Sequence, residues 1–289
     1  MLRKIGSSLA NITLEFLRAV KTNWAYITWF LFYFLLFFVF TAGYAIYFYI
    51  VTVPLALSPM AEWLWRILSG VRTLRVKAEK ERLLPLFKEV YEGAIKANPN
   101  LSRKIKLYIT EDMDINAFAF GKKTMVLTRG SVELLSDESI KGLIAHEFGH
   151  FSHWHTQALL LSIVGNLPMM LILKQLFGLK NHITKEEAKE STIMRAFRGL
   201  YHIIYFFFKG IDLVGELILL RSSRRHEYQA DDFASNCGYG AELAEVLTEI
   251  HNVSMGRKPS LKERLFSTHP QITLRIERLE RVNENPHRG

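Results

Sequence analysis

Forty consecutive residues, Thr22 to Ala61, carry no charged side chain. They hold 14 of the chain's 36 Phe, Tyr and Trp residues, and their centre reads Phe30-Leu-Phe-Tyr-Phe-Leu-Leu-Phe-Phe-Val-Phe40. Soluble helices rarely run this far without a charge, and about 20 apolar residues suffice to span a bilayer. The stretch exceeds the roughly 7–15 residue apolar core of a cleaved signal peptide. A single helix of this length would measure about 60 Å, twice a hydrocarbon core of about 30 Å. Two short spans joined near Thr41-Ala42-Gly43 fit that length better than one tilted span extended along the interface through Pro54 and Pro59. The flanks agree. Arg3, Lys4, Arg18 and Lys21 precede the stretch, and Arg66, Arg72, Arg75, Lys77, Lys80 and Arg82 follow it. Positive residues mark cytoplasmic flanks, so a hairpin with both ends in the cytoplasm is expected.

This placement resolves the net charge of +9. Residues 1–21 and 62–82 each contribute +3, so two thirds of the excess sits beside the apolar stretch, where it meets anionic lipid. The remaining basic residues are spread without a nucleic-acid-binding motif, and no nucleic-acid partner is expected. A single Cys excludes an intramolecular disulfide, and 49% hydrophobic residues exclude global disorder.

Residues 1–61 therefore read as a membrane region and 62–289 as a catalytic domain. Within the latter, 156–173 and 200–220 are apolar enough for membrane-associated helices, joined by a polar loop over Lys174–Arg198. The charges that interrupt the second, Lys209, Asp212 and Glu216, share one helix face. Helical spacing of Val76, Leu83, Leu86, Phe87, Val90, Tyr91 and Ile95 predicts a helix over 75–98, ended by Asn98-Pro99-Asn100. Strands are expected at Lys104–Thr110, Asn116–Phe120 and Thr124–Thr128. Ser136-Asp-Glu opens a helix with acidic residues in its first turn. A few strands followed by helices indicate an α+β domain.

That helix contains His146-Glu147-Phe148-Gly149-His150. Histidines at i and i+4 share one face, about 5–6 Å apart at Cβ, and can bind one Zn²⁺ together. The HExxH spacing sets Glu147 beside the metal, where it can act as general base. A catalytic zinc takes a third protein ligand from another segment. Residues 224–234 offer Glu227 and Asp231, one turn apart on a shared face. A glutamate there is a candidate ligand, and the second carboxylate is suited to hold a ligating imidazole. Asp232 and His153 read as structural, and His226, off the ligand face, as a surface residue.

The chain resembles the membrane-bound zinc metallopeptidases of the HtpX and CAAX prenyl protease group. The resemblance rests on the N-terminal apolar region, Asn116-Ala117-Phe118-Ala119, His146-Glu-Phe-Gly-His150, the two later apolar segments, Glu227-Tyr-Gln-Ala-Asp231, and Ser267-Thr-His-Pro270 followed by Arg275-Ile276. It implies a zincin-type gluzincin domain, mostly helical with a small edge-strand sheet, behind N-terminal transmembrane helices. It further implies one zinc per chain on His146, His150 and Glu227, with Glu147 as base and Asp231 supporting a ligating histidine. Asn116, Ala117, Phe118 and Ala119 would form the edge strand that substrate joins, as in β-augmentation. His269 would stand near the metal as ligand or oxyanion stabiliser, Arg275 would face substrate, and His155 would stand behind a ligand. The length of 289 residues leaves no room for the roughly seven spans of the prenyl proteases, so two to four spans of HtpX-like type are expected.

The function implied is that of an integral-membrane zinc endopeptidase in a bacterial-type inner membrane, with its active site facing the cytoplasm. It would act on polypeptides, including misfolded membrane proteins, in quality control. A dedicated processing peptidase and a non-catalytic zinc-bound chaperone or adaptor are the rival readings. The base Glu147 argues against the last.

Overall fold

A computed structural model describes residues 17–41, 43–183, 192–254 and 272–284. The uncharged stretch folds as two apolar helices broken where the sequence places the join. Helix α1 spans Trp24–Phe40 and α2 spans Ala45–Ala56. Thr41 serves both: its hydroxyl donates to Phe37 O (2.8 Å) and accepts from Ala45 N (2.9 Å). Gly43, at φ +90°, makes the turn that an L side chain resists. Helix α3, Pro59–Leu68, is capped by the Ser58 hydroxyl with proline at its start. Among the described residues no single helix is long and apolar enough to cross a membrane. Helices α2 and α3 pass that test only as a pair bent by 71°.

The sheet follows. Strand β1 (Arg72–Thr73) leads into helix α4 (Lys77–Ala97), then β2 (Lys106–Thr110), β3 (Ala117–Phe120) and β4 (Thr124–Thr128). The strand order is β1-β2-β4-β3, with β2 and β4 parallel and the other pairs antiparallel. Every residue of β4 is buried. Strand β3 is an edge, paired with β4 from Ala117 opposite Leu127 to Phe120 opposite Thr124. Helix α3 clamps its turn. The buried Glu62 accepts from Lys122 N (2.6 Å) and Thr124 Oγ1 (3.1 Å), and Trp65 stacks on Phe120 with centroids 4.1 Å apart.

After the short helix α5 (Arg129–Leu134) comes α6, Asp137–Ser152. Ser136 caps it by accepting from Ser139 N, and Asp137 and Glu138 complement the dipole of its first turn. Helix α6 is buried on nearly all sides. Ile140, Ile144 and Phe148 join Leu83, Phe87 and Val90 of α4, Leu243 and Val246 of α9 (Gly240–Ser254) and Leu279 of α10 (Ile272–Glu284) in one core.

Helices α7 (His155–Ile183) and α8 (Thr192–Asn236) differ from the sequence expectation. The expected loop over Lys174–Arg198 is largely helical: α7 runs on through Ile183, and α8 is already formed at Thr192. The charges at Lys174 and Lys180 do not end the helix, because Leu176, Leu179 and Ile183 recur at i, i+3 and i+7 around them. Likewise 200–220 and 224–234 are one helix of 45 residues, about 68 Å long. Trp29 and Tyr33 of α1 pack with Met169 of α7 and with Phe208, Ile211 and Leu219 of α8 in a second apolar cluster. Gly215 permits that packing, since a Cβ there would lie 1.7 Å from the Trp29 ring. The observed class is the expected α+β, mostly helical with one small sheet.

Candidate metal centre and active site

One turn of α6 carries His146 and His150 on the face that meets α8. Their Nε2 atoms lie 3.2 Å apart. Glu227 of α8 closes the triangle, with Oε2 3.6 Å from His146 Nε2 and Oε1 3.6 Å from His150 Nε2. Three ligand atoms each about 2.0–2.1 Å from one tetrahedral ion would be separated by about 3.3 Å, so these spacings fit a zinc-sized cation. The helices come this close because Gly149 faces Ala230. A Cβ on Gly149 would meet Ala230 Cα at 2.6 Å.

Outer hydrogen bonds decide which nitrogens face inward. His146 Nδ1 lies 2.9 Å from Asp231 Oδ1 and donates to it. The 3.5 Å approach of Arg275 Nη2 to the same nitrogen joins two donors and is not a hydrogen bond. His155 Nε2 donates to Gln229 Oε1 (3.1 Å), which leaves His155 Nδ1 to accept from His150 Nδ1 (3.0 Å). In their neutral, metal-binding form both ligand imidazoles are thereby protonated on Nδ1 and turn Nε2 lone pairs toward the Glu227 carboxylate. Such a donor set converges favourably only on a cation.

The charge count agrees. Glu147, Glu227 and Asp231 are buried, and the buried Arg275 compensates one of them. Arg275 makes a bidentate pair with Asp231, Nε to Oδ2 at 2.8 Å and Nη2 to Oδ1 at 2.7 Å, and its Nη1 lies 3.1 Å from Glu227 Oε2. With neutral imidazoles the set carries −2, which one dication balances. Burial would raise the Asp231 carboxyl, but the Arg275 and His146 donors outweigh it and hold it below the ordinary range. Burial pushes His150 down to about 3. It also acts to lower His146, but Asp231 and Glu227 prevail and raise that imidazole to about 9.

Without a metal, that raised value favours a second proton on His146 Nε2, facing Glu227 Oε2 at 3.6 Å. Its interaction with Asp231 and Glu227 is full below the ordinary histidine value of about 6.5 and is lost as pH rises through about 9. A metal must displace this proton. Calorimetric titration of the metal-free protein with Zn²⁺ at pH 7, in buffers of different ionisation enthalpy, is expected to show about one proton released per ion, with apparent affinity rising with pH toward 9. A buffer-independent heat would show that His146 is already neutral.

Beside this centre lies a cavity of about 860 Å³. Asn116, Ala117, Phe118 and Ala119 of the edge strand line one side, and Glu147 and Arg275 border it. The sequence-read residues are thus brought together, with two points to note. His269 lies outside the described residues. Arg275, read from the sequence as facing substrate, borders the cavity and is also bound to two carboxylates of the metal centre.

His226 overturns its reading as a surface residue. It is buried, its ring stacked on His155 with centroids 3.8 Å apart and planes at 6°. It does point away from the Glu227 face, but α1 and α7 cover the side it points to. Gln229 was missed as well. Its position two residues after Glu227 was the available signal, but nothing in the sequence shows which helix lies opposite. His153 caps α6, with Nδ1 2.9 Å from Gly149 O, and Asp232 pairs with Arg278 at 2.8 Å.

An HExxH helix whose histidines meet a glutamate from a second helix, under an open edge strand, defines a metallopeptidase of the gluzincin class. Comparison with known sequences agrees: the pattern of Peptidase family M48 matches residues 84–283, and the chain belongs to that family. The "Protease HtpX homolog" of Sulfurovum sp. (strain NBC37-1) is 27% identical over 202 residues, 60% of this chain and 68% of that one. That of Tropheryma whipplei (strain TW08/27) is 27% identical over 203 residues, covering 61% and 66%. That of Bacillus pumilus (strain SAFR-032) is 24% identical over 246 residues, covering 76% and 78%. The first two matches thus span about two thirds of the relatives' own length. Among solved structures the fold resembles S. mikatae Ste24p, with a TM-score of 0.51 and 20% identity over 92% of this chain and 65% of that one.

Proposed function

We propose that this chain is an integral-membrane, zinc-dependent endopeptidase with its active site toward the cytoplasm, acting on unfolded stretches of polypeptide in membrane-protein quality control. The carrying observation is the convergence of His146, His150 and Glu227 next to Glu147 at the cavity wall. Zinc, when bound by these three residues, supplies a Lewis-acid charge for carbonyl polarisation and for acidifying water. Glu147 takes a proton from the attacking water and returns it to the leaving amine. Arg275 holds Asp231 and so the Nδ1 proton of His146. Strand β3 offers main-chain groups to an extended substrate, which gives affinity with little sequence preference and favours quality control over a dedicated processing role.

The membrane assignment is supported by the outer surfaces of the packed helices α1, α7 and α8. Leu35 and Val39, Ile163 and Met170, and Ile203 and Phe206 are all exposed large apolar side chains. Patches of this extent are disfavoured in water. Together with the basic flanks, they favour contact with lipid.

The test uses the full chain in lipid nanodiscs with casein as unfolded substrate. Cleavage is expected to cease with 1,10-phenanthroline and return when Zn²⁺ is restored. Cleavage that persists in the chelator at an unchanged rate would refute the zinc-dependent reading.

A further inference from the structure

The N-terminal helix α1 lies outside the segment matched by the family, residues 84–283, yet its first turn reaches the metal centre. Asn23 Nδ2, at the start of α1, donates to His153 O (2.8 Å) at the C-terminal cap of α6. One turn on, Tyr26 stacks on His226 with centroids 5.2 Å apart and planes at 19°. His226 in turn lies face to face on His155, which bonds His150. Tyr26, His226 and His155 are all buried. An aromatic column thus runs from the apolar N-terminal helix to a ligand of the metal.

We propose that Tyr26 and His226 are positioning residues of the metal centre, an inference that rests on the zinc site assigned above. The argument concerns what fixes the His155 ring. Its two hydrogen bonds, to Gln229 and to His150, lie at its two nitrogens. Both lie in the ring plane, so they hold the ring weakly against displacement along its normal. Such displacement carries Nδ1 out of line with the His150 N–H, and a hydrogen bond weakens steeply with angle. Rings stacked on His155 block that displacement: His226 closely, at 3.8 Å, and His153 more loosely, at 5.3 Å. Tyr26 backs His226 from the other helix, while Ser222 Oγ, 3.4 Å from His226 Nε2, supplies a long polar contact. The N-terminal helix is then part of the catalytic apparatus as well as an anchor. Its withdrawal loosens a zinc ligand three rings away.

The experiment measures zinc affinity of the full chain by competition with a fluorescent chelator, alongside thermal unfolding of the zinc-free protein. Tyr26→Leu keeps the buried volume without the aromatic face, and His226→Ala removes the middle ring. Each is expected to weaken zinc about tenfold, as outer-sphere changes do. His226→Phe restores a flat ring and is expected to remain within about twofold of the wild type. Trp24→Ala, at an exposed position of the same helix, is expected to do the same. Wild-type affinity in Tyr26→Leu and His226→Ala would overturn the proposal. So would an equal loss in His226→Phe and His226→Ala, or in Trp24→Ala, since either result means that general packing is the cause. If Tyr26→Leu does not fold, the two His226 variants decide alone. Glu227→Ala separates the two levels of inference. Unchanged zinc in that variant refutes the metal centre itself, whereas loss there with wild-type affinity in Tyr26→Leu refutes only the column.

Discussion

Glu147→Gln is expected to lower kcat/KM on an unfolded protein by about 10²–10⁴-fold while leaving one zinc bound per chain. The amide has the size and shape of the carboxylate but cannot accept a proton from water. Glu147 sits on the ligand helix, next in sequence to His146, but is not one of the three groups whose atoms converge within 4.8 Å. The metal should therefore survive the change. It also removes one of three buried carboxylate charges without changing volume, so the fold is expected to tolerate it. The decisive comparison is turnover against zinc content. Wild-type turnover would remove Glu147 from the chemistry, and loss of zinc in step with activity would make it a ligand. The non-catalytic adaptor reading predicts no effect on any function of the chain.

Gly149→Val should break the centre without touching a ligand. Helices α6 and α8 meet at Gly149 and Ala230, and a Cβ on Gly149 would stand 2.6 Å from Ala230 Cα and 3.0 Å from its carbonyl oxygen. Both contacts are to atoms that cannot rotate aside. Valine therefore forces the helices apart, and Ala230 lies between Glu227 and Asp231 in sequence. Overpacking of this kind costs about 1–3 kcal/mol. Zinc affinity is expected to fall at least tenfold, as Glu227 withdraws from His146 and His150. Gly199→Ala, on the same α8 helix with nothing within 4 Å of the added carbon, should be neutral or slightly stabilising. Wild-type zinc binding by Gly149→Val would show that the helices can separate without opening the site.

Local chemistry was the legible part of this sequence. Histidines at i and i+4 and a cap at Ser136 are written in a few adjacent residues, and the helix formed where they placed it. The edge strand was legible too, because short extended runs bounded by turns constrain themselves. Long-range pairing was not. Lys174–Arg198 reads as a loop because charges of both signs recur through it, yet Leu176, Leu179 and Ile183 keep the helical spacing that carries α7 on. His226 looked like a surface residue because helical spacing gives only its angle from Glu227; whether that side is wet depends on α1, two hundred residues earlier. The ion pairs of Arg275 are hidden for the same reason: its partners Asp231 and Glu227 become neighbours only when α10 packs on α8.

Strand β3 carries a consequence for which proteins would be cut. A chain that joins an edge strand must first release a few residues from its own hydrogen bonds. On the proposed function, cleavage would then track the equilibrium population of locally open forms, and each 1.4 kcal/mol of local stability in a substrate would slow its loss about tenfold. The enzyme would rank its clients by how readily they fray, and a protein would be protected by tightening its weakest segment rather than by altering any sequence at the cut.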